Sequence, residues 1–178
     1  ANRAPALILT NVSYVKRVVF PLEILPWVTL GSALFHGTVS LLVLLVAQLM
    51  FNHTLPWTLI LFPLLLVPFL TLIIGVAWFL VATGVYVRDI AQTISIITMV
   101  MLFLSPVFYP LSSLPPRLQI AFYVNPLTFM IEESRKVLLL GQLPSWGGLL
   151  VYTVVAVTVA WLGFWWFQKT RRGFADVV

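Results

Sequence analysis

The chain has 178 residues, 61% of them hydrophobic and only 8% charged, with a mean hydropathy of +1.07 and a formal charge of +5. An ordinary soluble domain carries about 25% charged residues, so this composition excludes one and indicates an integral membrane protein. With no cysteine there is no disulfide framework, thiolate metal site or cysteine nucleophile, and the surplus of Lys and Arg mostly flanks apolar runs, where headgroups and topology account for it without nucleic acid.

The first distinctive stretch is NVSYVKRVVFPLEILPW, residues 11–27, a compact, mostly basic and Pro-punctuated segment directly before a long apolar run. Taken alone, it fits either a docking segment for a partner or a basic membrane-surface flank that fixes topology. A transmembrane helix needs about 20 mostly apolar residues. Three runs reach that length: Pro26 to Phe51, Pro56 or Trp57 to Tyr86, and Trp146 to Phe167. A fourth, Ile90 to Leu104, would rise only about 22 Å as a helix against a hydrocarbon core of about 30 Å. It either starts earlier or does not finish as a helix.

The following stretch, SPVFYPLSSLPPRLQIAFYVNP (residues 105–126), packs Pro106, Pro110, Pro115, Pro116 and Pro126 among aromatic and aliphatic residues. Proline breaks helical hydrogen bonding, and broken backbone at membrane depth persists only where protein or a water-filled cavity satisfies it. An ordinary external loop would be more polar, so a re-entrant or interfacial element is expected here. Asn125 and Pro126 then form a cap and first-turn proline, with Gly141 as the stop. Between them Glu132, Glu133, Arg135 and Lys136 fall in one arc, with Leu127, Met130 and Val137 opposite, which predicts an amphipathic interface helix. Glu132 is spaced to pair with Lys136 or Arg135.

Orientation follows from the basic flanks. With the N-terminal segment cytoplasmic, Arg3, Lys16, Arg17, Arg88, Lys169, Arg171 and Arg172 lie inside, and only Arg117, Arg135 and Lys136 lie outside.

Chemistry at depth is sparse. His36 is the only ionisable side chain well inside a run, and His53 lies in the short loop beyond it; a lone helical His is more often packed and hydrogen-bonded than a ligand or proton carrier. No Gly-rich phosphate loop, carboxylate pair or metal motif is present, so no catalytic residue, metal or cofactor is expected in the chain itself. Aromatic residues are the larger resource. Trp57, Trp146, Trp165 and Trp166 fit interfacial belts, whereas the cluster from Phe103 through Phe108, Tyr109, Phe122 and Tyr123 to Phe129 could also stack on the apolar faces of sugar rings.

The segments VKRVVFPLEILP, YVRDI, SPVFYP with NPLTFMIEESRKVLLLG, and the tail KTRRGFADVV, in this order and with these spans between them, resemble the membrane permease of bacterial type-2 ABC transporters that export polysaccharides such as O-antigen, capsule or teichoic acid. The resemblance covers essentially the whole chain. It implies an all-α integral membrane protein of the bacterial inner membrane, multi-pass, with four visible transmembrane helices of an expected six and a re-entrant external gate. An N-terminal interface helix and two further spans would precede the first residue. Residues 1–25 would hold the cytoplasmic coupling segment, 26–104 three spans, 105–145 the gate and amphipathic helix, and 146–178 the last span and cytoplasmic tail.

The resemblance also implies roles. Val15, Val18, Val19 and Phe20 would dock on an ATP-binding cassette ATPase, with Lys16 and Arg17 meeting acidic or phosphate-facing surroundings. Pro21 and Pro26 would set the exit angle, and Glu23 would pair locally with Lys16 or Arg17. Phe108, Tyr109, Pro110, Phe122, Tyr123, Asn125 and Pro126 would form the gate and pore, with Glu132 and Arg135 beside it. The expected partners are the ATPase, which would hold ATP and Mg, a second copy of the chain, a lipid-linked polysaccharide and membrane lipids. An exporter of a small drug or lipid and a non-transporting scaffold subunit remain as alternatives.

Overall fold

A computed structural model describes residues 4–7, 22–87, 89–107, 111, 115, 119, 122 and 125–174, and every regular element among them is helical. Helix α1 spans Leu25–Asn52 and carries Pro26 in its first turn, where the missing N–H is no loss. It stops at His53, whose left-handed conformation (φ 55°) lets its N–H close on Leu49 O at 3.1 Å. A 3-10 turn, Trp57–Leu61, leads into α2, Phe62–Tyr86, with Pro63 in its first turn and Pro68 inside it.

Helix α3 is Ile90–Phe103. Its 14 residues rise about 21 Å, so the short apolar run ends as a short helix and does not extend backward. Helix α4, Pro126–Arg135, continues through a π turn, Lys136–Leu140, to Gly141, whose φ of 66° ends it. Helix α5, Trp146–Thr170, passes into a final 3-10 turn, Arg171–Gly173. Three helical stretches, Leu25–Phe51, Trp57–Tyr86 and Trp146–Thr170, are long and apolar enough to cross a bilayer.

The α2–α5 pair is the backbone of the assembly, and small residues explain it. A Cβ placed on Gly75 would stand 2.5 Å from Ala160 Cα, and one on Gly163 would run into the Gly75 carbonyl oxygen. The helices therefore meet main chain to main chain, the approach that small residues permit where lipid supplies no hydrophobic drive between helices. Side-chain cores form at both ends of this crossing. At one pole Leu25, Val81, Val85, Phe167 and Phe174 bury one another. At the other, Leu65, Met130, Val137, Leu149 and Tyr152 do so, with Phe129 stacked on Tyr152 at 5.4 Å.

The packing separates two poles, and their sidedness follows from the basic residues alone. The foot of α1 and the ends of α2 and α5 share the pole that the Lys and Arg asymmetry makes cytoplasmic; the start of α2, α4 and the start of α5 share the external one. Helix α1 joins the bundle at its foot, where Leu25 and Leu30 are buried, while Phe35, Val43 and Met50 stay exposed. His36 sits on a cleft of about 640 Å³ between α1, α2 and α3, with Thr29, Ser32 and Thr98.

Candidate functional site

The external pole holds the site that the sequence singles out, and α4 is its hub. Asn125 is 8% exposed and serves two helices at once. Its Oδ1 accepts from Leu127 N at 3.0 Å, capping α4, while its Nδ2 donates to Met101 O at 2.8 Å and Leu104 O at 3.1 Å, the unpaired carbonyls at the end of α3. The residue before the proline thus closes the short helix as well as opening the next.

Arg135, the last residue of α4, reaches the same neighbourhood. Its Nη1 pairs with Glu132 Oε1 and its Nη2 donates to Pro106 O at 2.6 Å. The Glu132–Arg135 pair is therefore more than a surface ion pair: both side chains are about three-quarters covered, and the guanidinium fastens α4 to the start of the Pro-rich element. Phe122 is half-buried, and its carbonyl accepts from Asn125 N at 3.1 Å. Pro126 is exposed and lines a cleft between α2 and α3 with Leu102 and Leu127.

On its other side α4 is tied to the α2–α5 pair. The amphipathic reading puts Glu133 on the charged surface arc, and the structure corrects it: Glu133 is 2% exposed. Its Oε1 accepts from Lys136 Nζ and from Ser145 Oγ, each at 2.7 Å, and its Oε2 from Ser145 N at 2.8 Å. Burial alone would push this carboxyl up, but the bonds from Lys136 and Ser145 outweigh burial and hold it below its ordinary value. Because Ser145 directly precedes α5, Glu133 locks α4 to the start of the last span. Thr58, fully buried before α2, donates to Val137 O at 2.6 Å in the π turn. Met130 and Val137 face the core as expected, whereas Leu127 is half-exposed.

These bonds arrange α4 as a bracket. One edge is bolted to α2 and α5, the other holds the end of α3 and the entry to residues 105–126. Phe108, Tyr109, Pro110 and Tyr123 lie outside the described residues.

At the cytoplasmic pole, Val15, Lys16, Arg17, Val18, Val19, Phe20 and Pro21 also lie outside the described residues. Glu23 is described, and its carboxylate meets Arg171 Nη1 at 3.0 Å; the local partners expected for it, Lys16 and Arg17, are among the residues not described. Its carbonyl accepts from Trp78 Nε1 at 3.1 Å. Pro26 is buried within the first turn of α1. Belt residues Trp57, Trp146 and Trp165 are exposed at the poles, and Lys169 Nζ lies 4.9 Å above the Trp165 ring.

Sequence reasoning missed Glu133, Ser145, Thr58, Trp78, Arg171 and the Gly75–Gly163 crossing. Two had a readable signal: Ser145 stands where a cap precedes an apolar run, and Ala160 with Gly163 is a small-residue spacing inside a span. The others depend on contacts between distant segments.

The structure is an all-helical, multi-pass membrane protein with helices fastened at both poles. The chain belongs to the ABC-2 type transporter family, whose model matches residues 1–139. It is 25% identical over 164 residues to the O-antigen export system permease protein RfbA of Myxococcus xanthus, covering 91% of this chain and 63% of that protein. It is 24% identical over 173 residues to the protein of the same name from Klebsiella pneumoniae, covering 96% of this chain and 66% of that protein. The chain thus spans just under two-thirds of the length of both relatives.

Proposed function

We propose that this chain is the channel-forming transmembrane subunit of an ATP-driven exporter that moves a lipid-linked polysaccharide across the bacterial inner membrane. The observation that carries the reading is that both relatives, aligned over nearly the whole chain, are named as O-antigen export permeases. In this reading a second copy completes the conduit, and an ATP-binding cassette ATPase, holding ATP and Mg, supplies the work. The chain itself catalyses no reaction.

The geometry supports a division of labour. Backbone contact between Gly75 and Gly163 makes α2 and α5 a stiff pair. The bracket at α4 hangs the Pro-rich element and the end of α3 from that pair through Asn125 and Arg135. Nucleotide-driven movement at residues 11–21 would tilt the helices, and the Pro-rich element would yield or close at the external mouth. Aromatic side chains there suit sugar rings, whose C–H faces stack on them.

Copurification tests the reading. The subunit should bring down an ATP-binding cassette ATPase whose hydrolysis rate changes when the subunit is present, and cells lacking the subunit should retain lipid-linked glycan on the cytoplasmic face. An ATPase indifferent to the subunit would leave a scaffold role; normal surface glycan in cells lacking it would refute polysaccharide export.

A further inference from the structure

We propose that the foot of α1 is a transmission joint, in which Arg171 and Trp78 grip Glu23 and pass displacement of the preceding residues to the α2–α5 pair; this rests on the export reading above. Helix α1 offers few other routes. Of its described residues beyond the foot only Gln48, near the far end, is buried, whereas Leu25, Pro26 and Leu30 are all buried at the foot. A push from below therefore reaches the rest of the chain where α1 begins.

Two grips meet there, from two different helices. Trp78 of α2 holds the Glu23 main chain at 3.1 Å, and Arg171, just beyond α5, holds its carboxylate at 3.0 Å. Trp78 is itself wedged between Trp27 of α1 and Phe164 of α5, with ring centroids 6.2 and 4.9 Å away. The base from which Arg171 acts is firmly seated. Tyr86 Oη donates to Thr170 O at 2.9 Å, and Phe174 is 1% exposed against Phe167 and Tyr86. Residues 170–174 are thus part of the α2–α5 scaffold, and Glu23 belongs to the segment that would move.

The Arg171 half of the grip is not there for stability. Arg171 and Glu23 side chains are 44% and 28% exposed, and an exposed ion pair adds little to a fold. Its loss should appear in how well work is passed on, with the protein still inserted.

Charge reversal tests this in cells expressing the protein from its own locus with its ATPase. The readout is periodate-oxidised surface glycan, labelled with an impermeant hydrazide dye, divided by the ATPase activity of membranes from the same cells. Arg171→Ala and Glu23→Ala should each lower this ratio about two- to fivefold, the factor an exposed pair can supply. The double exchange Glu23→Arg with Arg171→Glu should recover most of it. Tyr86→Phe, which removes the bond to Thr170 O while keeping the ring on Phe174, should lower the ratio in the same direction and serves if Arg171→Ala reduces the amount of subunit in the membrane. Single variants at the wild-type ratio, or a double exchange no better than the singles, would overturn the joint while leaving the export reading intact. Wild-type cells showing no dependence of surface glycan on the subunit would overturn both.

Discussion

Asn125 carries two loads that substitution can separate. Asn125→Ala removes the α4 cap, worth about 1 kcal/mol, and the two amide donations to Met101 O and Leu104 O, worth about 1 kcal/mol each, so the loss should reach about 3 kcal/mol. Asn125→Ser keeps a cap acceptor but has no amide donors, and should cost about 2 kcal/mol. Asn125→Asp also keeps the cap, yet turns a carboxylate toward two carbonyl oxygens, so it should be worse than Ser. Reversible unfolding of the purified protein in detergent micelles, followed by helical circular dichroism, measures the series. Wild-type stability in Asn125→Ser would refute the tie to α3, and equal losses in Ser and Ala would refute the cap.

Further outcomes follow from the same contacts. Because Glu133 titrates below its ordinary value of 4.5 in the folded state, folding releases protons there; its contribution is complete above that value and is lost as pH falls through the lower folded one. Unfolding measured between neutral and acid pH should show this loss in the wild type and a shallower one in Glu133→Gln, and identical acid-side slopes would contradict the buried cluster. Gly163→Ala should cost roughly 1–3 kcal/mol, since its Cβ meets the Gly75 carbonyl, whereas Gly37→Ala, with nothing within 4 Å, should be neutral or better in the same unfolding assay. Cysteines at Ser13 and Thr170 should resist an impermeant reagent added to intact cells, and cysteines at Asn52 and Ser113 should react; labelling at 13 or 170 would reverse the topology.

The spans were legible because lipid demands length and apolarity, and the runs starting near Pro26, Trp57 and Trp146 announce both. Asn125–Pro126 and Gly141 were legible for a similar reason, since caps and stops are local chemistry. The same local rule hid the second task of Asn125, whose amide serves a helix ending more than twenty residues earlier. Glu133 was misplaced because a helical wheel sorts charges by angle alone: it cannot see Ser145 arriving from the next helix to replace water. Glu23 illustrates the limit from the other direction. Its expected local partners, Lys16 and Arg17, lie outside the described residues, and the contact with Arg171 is one that no local spacing announces. The widening after α4 into a π turn had no local signal; Val137 O within it accepts from Thr58, nearly eighty residues away.

The most direct measurement is transport in inside-out membrane vesicles bearing the subunit and its ATPase, loaded on the outer face with the host's radiolabelled lipid-linked glycan. ATP should carry the glycan into the lumen, where added glycosidase no longer reaches it, and vesicles with ADP or without the subunit should leave it digestible. Glycan that stays fully digestible with ATP, in vesicles containing both proteins, would contradict the account.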